Sequence, residues 1–205
     1  MHRIAVIGAG YAGMSAAVSL AARTKRREDV RITVVNAAER FTERLRLHQT
    51  ASGQELTDFR IPELLAGTRV EFVRGYVTGI DAAGRTVRVD DERVLEYDTL
   101  VYALGGAADT GAAPGADDHA YTLNSAQDAE LLAHRLSELD SGTVAVCGTG
   151  LTGVEAAAEL AERFGHLGVV LIGRQEPGAT LTPKARAYLR GVLDRLGVRV
   201  HSGAE

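Results

Sequence analysis

The chain has 205 residues, 45% of them hydrophobic and 24% charged, with a formal net charge of −4. These proportions suit a globular fold, and the acidic balance argues against a nucleic-acid-binding surface. A single cysteine, Cys147, excludes a disulfide framework within the chain, and no CxxC pair or Cys/His cluster points to a metal.

The first element is the apolar run "HRIAVIG", which ends in glycine and reads as a buried parallel strand. It is too short, and too abruptly glycine-rich, for a signal peptide. An alanine-rich helix follows from Tyr11 to about Arg23, then a charged turn, "RTKRRED", and a second strand, "VRITVVN". Together they make a βαβ unit. "RFTERLRLHQTASGQ" has no clear period and reads as a loop with a short helical turn, and Pro62 starts a short helix, "PELLAG". "VEFVRGYVTGID", "RTVRVD" and "RVLEYD" alternate between turn residues and predict a small antiparallel meander. "TLVYALGG" returns to a buried strand with a glycine stop. "AADTGAAPGADDHA" reads as a crossover or linker.

"NSAQDAELLAHRLSEL" is an amphipathic helix, and Ser125 with Asp128 has capping-box spacing. A second βαβ unit begins at Thr143 and returns through "GVVLIG". Thr182 and Pro183 suit the start of the helix "KARAYLRGVLDRL", Gly197 its end, and "VRVH" a last strand. Strands alternating with helices predict an α/β fold of two Rossmann-like, three-layer dinucleotide-binding units, with the meander inserted in the first. No run approaches the roughly eighteen apolar residues of a membrane span, so the expected location is cytoplasmic.

Each βαβ unit carries G-x-G-x-x-G between its strand and its helix: Gly8, Gly10 and Gly13 in the first, Gly148, Gly150 and Gly153 in the second. The first glycine permits a tight turn, the second lets backbone approach a pyrophosphate, and the third lets helix and strand pack closely. The helix N-terminus then offers N–H groups and positive partial charge to the phosphates. Tyr11 and Ala12 belong to the first loop, Leu151 and Thr152 to the second. Two dinucleotide loops in one chain imply hydride transfer between two dinucleotides.

In this order and spacing, "GAGYAGMSAA", "YDTLVYALGG" and "GTGLTGVEAAAEL" resemble the FAD-dependent pyridine nucleotide–disulfide oxidoreductase superfamily, in particular its type II NADH dehydrogenase-like branch. The resemblance implies FAD on the first loop and NADH or NADPH on the second. It implies a second flavin contact at the segment matched by Tyr97, Asp98, Leu100, Val101, Ala103 and Gly105. It implies hydride passing from nicotinamide to flavin, then electrons to a quinone or small electron carrier, with no side-chain nucleophile. A ferredoxin- or rubredoxin-reductase-like acceptor stays open, as does a flavin-binding redox sensor or interaction module with little turnover, and as does a homodimer.

The resemblance also implies a longer protein: a return to the FAD domain and a C-terminal interface domain, where any peripheral membrane contact would lie. The first sheet is then expected to show an unpaired edge. The expected division is an FAD-binding domain at 1–118, its antiparallel insertion near 70–97, and an NAD(P)H-binding domain at 119–205.

Several positions depart from the family pattern or stay open. Asn36 stands where an acid usually reads the FAD ribose; an amide can still hydrogen-bond a hydroxyl. No paired redox cysteines follow the first loop, which excludes a disulfide reductase, and Cys147 reads as a buried filler. Arg46, His48 and Gln49 lie where relatives approach the flavin, or else form an ordinary polar loop. Glu155 matches a glutamate near the nicotinamide, or else is a solvated helix charge sharing a face with Glu159. Roughly twenty residues past Gly153, where an NAD-reading acid belongs, stands Gly173, with Arg174 next. A guanidinium pairs with a 2′-phosphate, so NADPH or weak discrimination is expected, unless Arg174 is a solvated loop charge.

Overall fold

The computed structural model describes every residue except Ala112, within the segment read as a linker, and Glu205; those two positions lie outside the described residues. The first half of the chain forms β1 (His2–Ile7), α1 (Tyr11–Thr24), β2 (Val30–Asn36), a 3-10 turn (Arg44–Arg46), α2 (Leu47–Ala51), α3 (Ile61–Leu64), β3 (Val70–Arg74), β4 (Val77–Asp81), β5 (Thr86–Val89), β6 (Arg93–Glu96) and β7 (Thr99–Tyr102). The second half forms α4 (Ala116–His119), α5 (Ala126–Ser137), β8 (Gly142–Cys147), α6 (Leu151–Arg163), β9 (Leu167–Gly173), α7 (Pro183–Arg195) and β10 (Arg199–Ser202). The chain divides into two units. One is Met1–Glu43 with Thr57–Ala107; the other is Arg44–Leu56 with Ala108–Glu205.

In the first unit the strand period of two sorts side chains onto two cores. Ile4, Val6, Ile32 and Val34 face Met14 and Ala17 of α1 and Ile61 of α3. Ala5, Ile7 and Val35 face Val87, Val89 and Tyr97 of the hairpin layer. The parallel sheet, ordered β3-β2-β1-β7, is thus covered on both faces, by helices and by the antiparallel sheet β4-β5-β6. The segment "VEFVR", read above as part of the meander, instead lies parallel to β2 as β3. Val70 and Phe72 pack on the helix side and Val73 on the meander side, so burial on both faces overrides its local alternation. β7 pairs with β1 and stands at the edge of that sheet.

Asp98 ties β7 to the start of β1. Its carboxylate accepts from the Arg3 backbone N–H at 2.7 Å and from Arg3 Nε at 3.4 Å. Those bonds, the backbone one foremost, hold its pKa below the ordinary carboxylate value. A lowered carboxylate pKa adds stability above the unfolded value, about 3.9, and that stability is lost as pH falls through the folded value. Melting temperature is therefore expected to drop on acidification below about pH 4, and to drop less steeply in Asp98→Asn. Identical acid limbs for the two proteins would contradict this.

In the second unit the parallel sheet is ordered β10-β9-β8. Val144, Val146, Val169, Leu171 and Val200 share one core with Leu136 of α5, Ala157 and Leu160 of α6, and Leu193 of α7. Cys147, expected as a buried filler, is exposed. Its neighbours Val144 and Val146 take the helix-covered side of edge strand β8, and alternation turns Cys147 to the other. Both expected helix starts are present. Ser125 and Asp128 form a reciprocal capping box on α5, and Thr182 caps α7 ahead of Pro183. Gly197 ends α7 with φ +72°. Among the described residues no helix is long and apolar enough to cross a membrane.

Candidate functional site

The two glycine loops repeat one geometry. Gly8 N–H donates to Val35 O at 2.8 Å and Gly148 N–H to Ile172 O at 2.7 Å. Met14 N–H donates to Gly10 O at 2.9 Å and Val154 N–H to Gly150 O at 3.0 Å. This correspondence makes Ala9 equivalent to Thr149, Asn36 to Gly173 and Ala38 to Gln175. The third glycine of each loop is demanded by close packing. A Cβ on Gly13 would overlap the carbonyl oxygen of Gly8, and one on Gly153 that of Gly148. A Cβ on Gly8, at φ +93°, would lie 2.7 Å from Ala103 C. The chain just past β7, at Ala103 and Leu104, therefore runs against the first loop. Tyr97 and Asp98, from the same sequence motif, are used in the core and in the tether to Arg3.

The middle glycines are different. Among the described residues nothing lies within 4 Å of a Cβ built on Gly10 or on Gly150. They are the N-cap residues of α1 and α6, neither of which has a side-chain cap or an acid in its first turn. α5 and α7, which follow no glycine loop, are both capped by a side chain. The helices behind the glycine loops thus keep their N-terminal N–H groups unscreened by side chains, Tyr11 and Ala12 in one and Leu151 and Thr152 in the other. That donor set fits a pyrophosphate. Tyr11 packs edge-on against Phe41, ring centroids 5.2 Å apart.

Asn36 turns its amide onto the loop itself. Oδ1 accepts from Ala9 N–H at 3.0 Å, and Nδ2 donates to Ala38 O at 2.8 Å. In the second unit Gly173 ends the strand, Arg174 is exposed, and Glu176 pairs with Arg190 at 3.4 Å. An open cavity of ≈ 930 Å³ lies beside the second loop. Thr149, Gly150, Leu151, Glu155, Lys184 and Tyr188 are among its lining residues. Lys184 and Tyr188 escaped the sequence reading because α7 reaches the loop only through the fold, and Thr149 because its partners, Gly173 and Gln175, lie beyond α6 in the chain.

The segment holding Arg46, His48 and Gln49 belongs to the second unit, where Leu47 and Ala51 pack on Ala129 of α5. His48 Nδ1 lies 3.8 Å from Glu155 Oε2. Buried Ser52 Oγ donates to Gln49 O at 2.8 Å and lies 3.2 Å from Glu159 Oε1, which also receives Gln54. Arg46 Nε donates to Gln49 Oε1 at 2.7 Å. The acids at 155 and 159 on α6 thus both face partners in this one segment. Among the described residues no cluster of side chains is arranged to hold a metal.

Two strand–glycine loop–helix units, each with an uncapped helix start behind its loop, have the geometry of dinucleotide-binding units. Residues 2–205 match the family described as pyridine nucleotide-disulphide oxidoreductase, and the chain belongs to that family. It is 30% identical over 180 residues to a type II NADH:quinone oxidoreductase of Staphylococcus aureus, an alignment covering 80% of this chain and 44% of the relative. Its fold is similar to a ferredoxin reductase for the CYP199A2 system from Rhodopseudomonas palustris, with TM-score 0.83 and 23% identity, covering 100% of this chain and 51% of that one. It is likewise similar to NDH2 from Plasmodium falciparum in complex with NADH, with TM-score 0.79 and 19% identity, covering 98% and 48%. The chain spans about half the length of the relatives it matches.

Proposed function

We propose that this chain supplies the FAD-binding and NAD(P)H-binding units of an FAD-dependent NAD(P)H oxidoreductase whose acceptor is a quinone or a small electron carrier. The observation that carries it is the contrast in helix capping. Among the described residues, the two long helices behind glycine loops lack side-chain caps and the two long helices elsewhere have them. In the first unit Gly8, Gly10, Tyr11, Ala12 and Gly13 would hold FAD, with Asn36 bracing the loop and Ala103 and Gly105 closing its far side. In the second, Gly148, Gly150, Leu151, Thr152 and Gly153 would hold the nicotinamide coenzyme. When bound, the two groups supply hydride and electron transfer. The residues of this chain supply backbone N–H groups, shape and charge.

The acceptor class follows the Staphylococcus aureus relative, which is an NADH:quinone oxidoreductase. A cytoplasmic site of action fits this reading. Absorbance across the flavin bands of FAD-loaded protein, recorded before and after anaerobic NADPH or NADH, tests the activity. Rapid bleaching is expected. Bound flavin that does not bleach would replace the reductase with a nucleotide-binding redox sensor, and absence of flavin binding would remove both.

For the coenzyme we favour NADPH. No carboxylate stands at Gly173 to repel a 2′-phosphate, exposed Arg174 follows it, and the next acid, Glu176, is engaged by Arg190. Arg174→Ala is expected to weaken NADPH binding by roughly tenfold, the worth of one charge-assisted hydrogen-bonded contact, and to leave NADH unchanged. Fluorescence titration of the chain with each coenzyme measures this. A parent preference for NADH that the substitution does not alter would refute it.

A further inference from the structure

Glycine at 173 is not required by its backbone. It is absent from the residues with positive φ, so an L side chain fits its conformation. What excludes one is Thr149. A Cβ on Gly173 would lie 2.7 Å from Thr149 Oγ1 and 2.8 Å from Thr149 Cγ2, closer than real Cβ atoms come. Thr149 is committed to that place, because its hydroxyl donates to Gln175 O at 2.8 Å. The first unit solves the same problem from the opposite side. There the loop residue is Ala9, which leaves room, and the strand-end residue Asn36 donates to the equivalent carbonyl, Ala38 O, also at 2.8 Å. One carbonyl, two residues past the strand end, is satisfied in both units. In one the donor comes from the ribose-reading position; in the other it comes from the loop, and the ribose-reading position is emptied.

We propose that Thr149 is a specificity-determining residue of the second unit: its side chain takes the space a ribose-reading carboxylate would need and pins the turn that carries Arg174 and Glu176. The proposal rests on the reading of this loop as the NAD(P)H site. Its consequence is that residues 149 and 173 are coupled. A carboxylate at 173 cannot be accommodated while Thr149 stands. Thr149→Ala removes both contacts under 3.0 Å and leaves the residue 149 backbone N at 3.1 Å, which a shift of a few tenths of an ångström relieves, so that an acid can be seated that accepts from a 2′-hydroxyl and repels a 2′-phosphate.

The test is a double-mutant cycle on the 205-residue chain, reading melting temperature and the dissociation constants of NADPH and NADH for Thr149→Ala, Gly173→Glu and the double variant. Gly173→Glu alone is expected to lower the melting temperature, and Thr149→Ala to restore much of the loss. The double variant is expected to shift the NADPH-to-NADH affinity ratio toward NADH by at least about tenfold. Thr149→Ala alone is expected to weaken NADPH by roughly fivefold, the worth of one hydrogen bond, with NADH little changed. Thr149→Ser, which keeps the hydroxyl, is expected to match the parent in that ratio. A merely structural threonine would move stability without moving the ratio, and that result overturns the proposal, as does independence of the two substitutions in melting temperature. Failure of the parent to bind either coenzyme would instead overturn the reading of the site, and the proposal with it. A parent that binds coenzyme, with an unchanged ratio in Thr149→Ala and in the double variant, overturns this proposal alone.

Discussion

Gly150→Val is expected to abolish NAD(P)H binding while leaving the melting temperature of the chain close to that of the parent. The backbone at Gly150 has φ −71° and ψ 178°, an extended conformation that valine adopts readily, and nothing lies within 4 Å of its Cβ. The described fold therefore raises no steric objection at the Cβ. The ligand does, because the isopropyl group would stand between the α6 N-terminus and the pyrophosphate. Losing two charge-assisted backbone contacts costs about 3–6 kcal/mol, which is a loss in affinity of roughly 100-fold or more. Gly10→Val, at φ −75° and ψ −167°, should act on FAD in the same way. Dissociation constants beside thermal melts decide the matter. Retention of full coenzyme or flavin affinity would show that the ligand does not approach these glycines.

Gly153→Ala is expected to have the opposite profile, a large loss of stability. Its added methyl would overlap Gly148 O and lie 2.9 Å from Gly148 C, and both are backbone atoms fixed by β8 and its ladder to β9. The helix must shift away from the strand end. Overpacking of this kind costs about 3 kcal/mol, a fall of roughly 6–12 °C in melting temperature for a chain of this size. Gly13→Ala meets the equivalent overlap with Gly8 O and should behave alike. A parent-like melt for either variant would mean that the loop and helix are less tightly joined than described.

The glycine loops were legible in the sequence because their requirements are local. Each glycine, its flanking strand and its alanine-rich helix lie within a short stretch, and three-residue spacing encodes the geometry. The helix caps at Ser125 and Thr182 were legible for the same reason. β3 was not, since "VEFVR" has the alternation of an exposed hairpin strand and owes its place to partners on both faces. Nor was the exposure of Cys147, which depends on which side of β8 the helices cover. His48 and Glu155 were singled out separately on family spacing, but nothing between residues 44 and 56 announces that this segment packs with α5 and α6. Thr149 is the plainest case. As a loop residue it is unremarked, and its meaning emerges only when the strand end at Gly173 is brought beside it.

The course of the chain has a consequence for how the protein is made. Between Glu43 and Thr57 it leaves the first unit, contributes α2 to the second, and then returns to the first until Ala107. During synthesis α2 emerges long before its partners α5 and α6, so Leu47 and Ala51 have no native seat until α5 has left the ribosome, and Ser52 lacks its partner until Glu159 has. The first unit can close around this segment, looping it out, whereas the second cannot be completed vectorially from its own C-terminal stretch. A piece expressed from Ala108 onward would lack α2, leaving Ala129 without its cover and Glu159 without Ser52 and Gln54. The nucleotide units are therefore interleaved in translation order, and dissecting them requires a circular permutation or a grafted 44–56 segment rather than a single cut.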